Sequence, residues 1–354
     1  MATTSYGVND ALAVKLWSKK LFVDALKETS YQQFIGKSAS SLIQVKDETS
    51  KGAGDKITFG LRMQLSGDGV LEDGTLEGNE ESLTTYSDSV TINQLRHAVR
   101  SAGKMSEQRV PFSVRDEAMS GLKDWWANRL DTAFFNQLCG NTVQTDTRYT
   151  GNVATIAATT NRIKRAGGVA NDQSLTSTNT FNLNLIDACV EAAQTISPTV
   201  RPIRVNGKEK YVMFLHPYQV YDMRTNTSEG QWLDITKTAM QGGKVADNPI
   251  YNGALGEYNG VILFANSRVT NGVNSSTGAA VSTARRAVFC GAQAGVIAYG
   301  RDSVGGENMS WVEELFDYEN QLGVSAGMVF GMKKTQFNSE DFGTIVLPTY
   351  AVAH

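Results

Sequence analysis

Few residues of this chain have the type and spacing to carry chemistry, and the sharpest candidate is Gly323-Val-Ser-Ala-Gly327. It spells the G-x-S-x-G pattern of a nucleophile elbow, in which a serine on a strand-to-helix turn attacks an acyl carbon with help from a later acid and histidine. Here Met328-Val-Phe-Gly-Met332 continues as strand, and the one later histidine is His354, the last residue. Small residues where strands cross account for the pattern better, so a serine hydrolase using Ser325 stands only as the enzyme alternative. His97 and His216 have no Cys, His or carboxylate at metal-ligand spacing. Asp68-Gly-Val-Leu-Glu-Asp-Gly74 offers oxygens without the alternating acids and closing Glu of a calcium loop. Lys51-Gly-Ala-Gly-Asp55 lacks the G-K-[ST] of a phosphate loop and suits a hinge. The expected inventory is therefore no catalytic, no cofactor-binding and no metal-binding residue, with no cofactor.

Composition narrows the class further. With 354 residues the chain can bury a large core. A formal charge of -3 with 19% charged residues gives no basic field to gather nucleic acid. Arg162-Ile-Lys-Arg165 reads as a solvated loop face rather than a nucleic-acid patch. Cys139, Cys189 and Cys290 lie in apolar runs and read as reduced core residues made in a cytosol. No signal peptide and no run of apolar residues long enough to span a bilayer is found, so a soluble protein that stays inside the cell is expected.

One constellation does point outward. Met63 to Leu95 holds seven carboxylates (Asp68, Glu72, Asp73, Glu77, Glu80, Glu81, Asp88) and not one Lys or Arg. Strand-like runs at 55–65 and 83–92 flank an irregular tip from Gly67 to Gly78, which predicts a long hairpin. Arms of roughly 15 residues would reach about 50 Å, against a body radius near 20 Å. Such a hairpin is expected to lie on a neighbouring copy, since a lone two-stranded ribbon is marginal in water. Arg96, His97, Arg100, Lys104, Arg109, Arg115, Lys123 and Arg129 follow as a cation-rich strip. An acidic arm and a basic spine in one chain favour a head-to-tail contact, which generates rings when the rotation closes.

The elements around it order themselves. Residues 1 to about 45 form an arm with a helix over Asp10 to Thr29, whose apolar face carries Leu12, Leu16, Val23 and Leu26. Ser113, three residues before Asp116, predicts the N-cap of a long helix. Ala118, Leu122, Trp125, Trp126, Leu130, Ala133, Phe134 and Leu138 give that helix one apolar stripe, and Cys139-Gly140 ends it. Asn141 to Asn179 reads as loops. From Thr180 the pattern is mixed α/β, with helices over 181–194 and from His216, and strands at 210–215, 261–264 and 286–290. Trp311 to Val346 predicts strands packed against the long helix.

That order of parts resembles the major capsid proteins of tailed bacteriophages, the Hong Kong ninety-seven type fold, in the branch typified by the podovirus N-four capsid protein. The resemblance covers nearly the whole chain. It rests on Gly54-Asp-Lys-Ile-Thr-Phe59, Arg109-Val-Pro-Phe-Ser-Val-Arg-Asp116, Phe214-Leu-His-Pro-Tyr-Gln-Val-Tyr-Asp222, Gly331-Met-Lys-Lys-Thr-Gln-Phe337 and Asp341-Phe-Gly343 in that order. It implies an α+β chain with an N-terminal arm (1–50), an extended hairpin loop (51–95), a peripheral domain (96–179) with a spine helix over 113–139, an axial domain (180–300), and C-terminal strands returning to the peripheral domain (301–354). It further implies a shell subunit that forms hexamers and pentamers of an icosahedral virion around double-stranded DNA, without sequence-specific binding and without a membrane. Assembly would take place in the host bacterial cytoplasm, with a portal, a decoration protein and a scaffolding protein as partners. The start at Met1 without a long helical extension favours a separate scaffold. Some relatives join a hairpin Lys to an Asn on a neighbour, and no amine lies between Met63 and Leu95, so uncrosslinked subunits are expected. An encapsulin-like compartment shell is the alternative on the same fold.

Overall fold

The computed structural model describes residues 21–47, 54–62, 67–83, 85–111, 113–205, 207–228, 255–300 and 308–354. The start of the expected N-terminal helix, with Leu12 and Leu16, and the Lys51-Gly-Ala hinge lie outside these residues.

Two sheets grip the spine helix Val114–Leu138. Ser113 caps the helix as the sequence predicts, its side chain accepting from the Asp116 N–H at 3.3 Å. Gly140, at φ 63, follows the C-cap, where a Cβ would stand 2.7 Å from the Ala158 nitrogen. At about 1.5 Å per residue the helix runs close to 40 Å. Its last turn is buried all round, so Asn136 and Gln137 are enclosed beyond the predicted stripe. Gln137 Nε2 donates to the Thr150 and Val153 carbonyls at 2.7 and 2.8 Å, which ties the following loop to the helix.

The central sheet pairs Ala280–Cys290 with Lys208–Leu215 and with Thr344–Tyr350, and Lys208–Leu215 with Val261–Ala265 in parallel. Both of its faces are covered. Tyr211, Met213, Leu215, Phe289, Ile345 and Leu347 face a core shared with Phe181, Leu183, Ile186 and Cys189. Val212, Phe214, Val288 and Val346 face the core that contains the spine helix. Continuous apolar runs such as Tyr211-Val-Met-Phe-Leu215 are what a strand buried on two sides requires. Phe214 lies 5.6 and 5.5 Å from the rings of Phe134 and Phe135. Burial pushes the Cys189 thiol up to about 12 and the Cys290 thiol well above its ordinary value.

The outer sheet is built on Gln321–Lys334, which pairs with Met309–Phe316, Asn93–Arg100 and Gly295–Tyr299. Ile43–Lys46 then runs parallel to Gly295–Tyr299. Two short strands join sheets far from their neighbours in sequence. Gly295–Tyr299 belongs to the outer sheet, and Thr344–Tyr350 pairs in the central sheet, where Val346 faces the spine-helix core. Both are short apolar runs, and the long-range partner of such a run is not written in its own residues.

The loop from 141 to 179 corrects a second reading. Arg162 is fully buried rather than solvated, and its guanidinium donates to the Pro198 carbonyl. Arg165 and Arg286 both hold Asp172 at 2.7 Å. Burial alone would raise the Asp172 carboxyl, but Arg286, the Val273 N–H and Arg165 outweigh it and hold it below the usual carboxylate range.

Candidate assembly surfaces

The acidic hairpin has two parts with different physics. Its paired base, Lys56–Arg62 against Thr85–Thr91, is seven residues per strand, about 23 Å rather than the expected 50 Å. That base lies on its own body. Ile57 and Val90 pack with Val296 and Ala298, and Leu61 with Phe337 and Phe342. Asp88 is ion-paired to Lys333 and accepts from the Gln336 N–H at 3.0 Å. At Gly331 a Cβ would stand 2.0 Å from the Thr91 carbonyl oxygen, so the strand end crosses the ribbon at a contact open only to glycine.

The tip is the opposite case. From Gly67 to Leu83 almost every residue is exposed, with Leu71 at 86% and Leu76 at 62%. Backbone turns hold its shape, through Gly74 N–H to the Leu71 carbonyl at 3.1 Å and Asn79 N–H to the Leu76 carbonyl at 3.0 Å. Glu81 accepts from the Gly67 N–H at 2.7 Å and closes the neck. Among the described residues, Asp68, Glu72, Asp73, Glu77 and Glu80 have no cation within ion-pair distance. An exposed segment combining apolar side chains with one sign of charge is a surface shaped for another surface.

The cation strip divides in the same way. Arg115 is spent inside, on Glu313 at 2.6 Å, and that carboxylate also accepts from Trp311 Nε1 at 2.7 Å. Lys123 pairs with Glu28 at 2.6 Å, while Arg129 lies over Trp125 and Tyr149. His97 stacks on Trp125 at 4.4 Å. Arg96, Arg100, Lys104 and Arg109 remain exposed, and Arg100 lies 4.2 Å from the Phe316 ring centroid. For the residues on Asn93–Arg100, strand alternation explains the division. Leu95, Trp311, Val324, Ala326 and Met328 face the spine helix, so Arg96, Ala98, Arg100, Val312 and Ser325 face away from it.

Ser325 therefore sits in mid-strand, between Val312 and Ala98, and donates to the Val312 carbonyl at 3.3 Å. His97, opposite Ala326, projects from the other face. Among the described residues no turn, base or acid is assembled around the serine as an elbow requires. Among the described residues no group of three His, Cys, Asp or Glu gathers as a metal site, and no helix is long and apolar enough to cross a membrane.

The N-terminal segment docks on its own chain. A helix over 21–28 buries Leu21 and Ala25 in the main core. Tyr31 stacks on Phe134 at 4.5 Å, and Ser30 N–H donates to Asp131 at 3.0 Å.

A family model described as phage capsid protein matches residues 5–353. The chain is 28% identical to the major capsid protein of Pseudomonas phage KPP25, over 93% of each chain. Among solved structures it is similar to the capsid of Ralstonia phage GP4, with 33% identity, 99% of each chain covered and a TM-score of 0.77. It is also similar to the capsid of cyanophage Pam1, with 20% identity, 93% of this chain and 94% of the other covered, and a TM-score of 0.73.

Proposed function

The chain belongs to the phage capsid protein family, and from that premise we propose that it is the major shell subunit of a bacteriophage head, assembling with copies of itself. The observation that carries the reading is the split hairpin. A base fixed to the body aims an exposed tip in which Asp68, Glu72, Asp73 and Glu77 meet no cation among the described residues and Leu71 and Leu76 stand in solvent. Exposed Arg96, Arg100, Lys104 and Arg109 offer the complementary sign. Donor and acceptor patches differ, so the contact is heterologous, and repeated around an axis it closes rings.

Within that reading the subunits form hexamers and pentamers of an icosahedral shell around double-stranded DNA, held by enclosure rather than by sequence recognition. A separate scaffolding protein, a portal and a decoration protein complete the head, and assembly takes place in the host bacterial cytoplasm. The axial unit is built on the central sheet, and the peripheral unit on the spine helix and outer sheet. The shell has no enzymatic task, and Ser325 should stay unlabelled by serine-directed activity probes.

Deleting Gly67 to Gly78 tests the reading. Electron microscopy of the intact protein should show shells, ring-like capsomers or tubes. The deletion should leave a folded subunit that no longer closes shells. Normal shells from the deleted protein would overturn the role given to the tip.

A further inference from the structure

Between the loop that leaves the spine helix and the edge of the central sheet lies a cavity of about 320 Å³. Gln144, His216, Ser267, Asn271 and Arg285 contribute polar groups to its wall, and among the described residues no carboxylate does. Arg285 and Arg286 are neighbours on one strand and so point to opposite faces. Arg286 turns inward and is neutralised by Asp172 at 2.7 Å. Arg285 turns to the cavity, and among the described residues its Nη1 meets only the Ser282 and Ala284 carbonyls, at 3.3 and 3.4 Å. Its guanidinium carbon lies 5.4 Å from the Tyr218 ring centroid. Partial burial lowers the pKa of Arg285, and the opposing partner is the Tyr218 hydroxyl rather than a carboxylate.

A second feature adds to the positive field. His216 is the N-cap of the helix Pro217–Thr225, its Nδ1 accepting from the Tyr218 N–H at 3.2 Å. The ring proton therefore sits on Nε2 as a donor, and the positive end of that helix faces the cavity wall.

We propose that this cavity is a carboxylate-binding site, in which the Arg285 guanidinium grips the anion and the donors of Gln144, Ser267 and Asn271 orient it. One guanidinium matches one carboxylate in charge and in its planar, two-pronged geometry. The volume admits an acidic side chain or a small organic acid. The site stands on these residues alone and does not depend on the shell reading. The carboxylate comes either from free solute or from an acidic side chain of a second copy.

Calorimetric titration with the α-amide of N-acetylglutamate, on unassembled subunits and on assembled shells, tests the site and separates the sources. Binding to subunits should be weakened at least about tenfold by Arg285→Gln. It should be weakened likewise by Ala280→Leu, which fills the cavity mouth and keeps the charge. The neutral glutamine analogue should not bind. Binding to subunits but not to shells assigns the site to a neighbour's acid, and binding to both assigns it to a free carboxylate. No binding to either form, undiminished binding to both variants, or tighter binding of inorganic phosphate would overturn the proposal. Thermal unfolding of each variant shows that it is folded, and if Arg285→Gln is not, Ala280→Leu decides.

Discussion

The two sheets use strands of similar length for opposite purposes. The central sheet is covered on both faces, so its strands read as unbroken apolar runs and its neighbours are all internal. The outer sheet is covered by the core on one face and, on the other, only where the hairpin base lies on Val296, Ala298 and Gly331. Beyond that patch the same face holds Arg96, Ala98, Arg100, Val312 and Ser325, which belong to no core cluster. Stability therefore resides where strands are apolar throughout, and recognition where they alternate.

The largest expected effect comes from exchanging these roles. In the unassembled chain, Phe214→Ala removes a ring packed against Phe34, Phe134, Phe135 and Phe264 and should cost about 3–5 kcal/mol by urea denaturation. Val312→Ala, at a residue 49% exposed, should cost under about 0.5 kcal/mol. Equal losses would erase the distinction between the sheets.

An intermediate effect should appear in acid. Burial, and then the charge of Arg285, hold His216 down to about 4, below its ordinary 6.5. A depressed pKa means that the folded state resists the proton while the unfolded chain accepts it. The contribution of His216 is thus present above pH 6.5 and is lost as pH falls from 6.5 through 4. Protonated Nδ1 can no longer accept from the Tyr218 N–H, so the helix cap goes with it. The loss should be about 1–2 kcal/mol after allowing for screening by solvent. His216→Asn keeps a cap that does not titrate, and the difference between the two stability profiles over pH 4–6.5 isolates the residue. Parallel profiles would refute the assignment.

Smaller effects belong to the open face. Exposed ion pairs contribute about 0–1 kcal/mol each, but a shell repeats them in every subunit. Reversing Glu72, Asp73 and Glu77 to Lys should lower assembly yield while leaving the unfolding midpoint nearly unchanged, with partial rescue by reversing Arg96, Arg100 and Arg109. Assembly indifferent to these changes and to ionic strength would shift the burden of docking to Leu71 and Leu76. The last expectation is no effect at all. With no amine in the tip and all three cysteines buried, the shell subunit of mature particles should run on denaturing electrophoresis as one band near 38.4 kDa, with and without reductant. A ladder that survives boiling would contradict it.

What could be read in the sequence was local. The spine helix announced itself through Ser113, its apolar stripe and Cys139-Gly140, and the central strands through apolar runs. The acidic tip was legible as unusual composition. Long-range pairing was not. Nothing in Lys56–Arg62 says that Leu61 meets Phe337, so the hairpin base looked like a free arm. Arg162 and Arg165 looked solvated because their partners, Pro198 and Asp172, are supplied by the fold. The Arg285 cavity had no signal, since its lining comes from four separate segments.

The strand Gln321–Lys334, 14 residues long, joins three other strands edge to edge. In mechanical terms it is the tie bar of the molecule. A pull directed along it loads the hydrogen bonds to Asn93–Arg100 and Met309–Phe316 in shear, so many must yield together, whereas a pull across it would unzip them singly. Force entering through the ribbon reaches this strand at the Gly331 crossing and at Lys333, and is spread over the outer sheet before it meets the core. The subunit should be stiff along one axis and compliant across it.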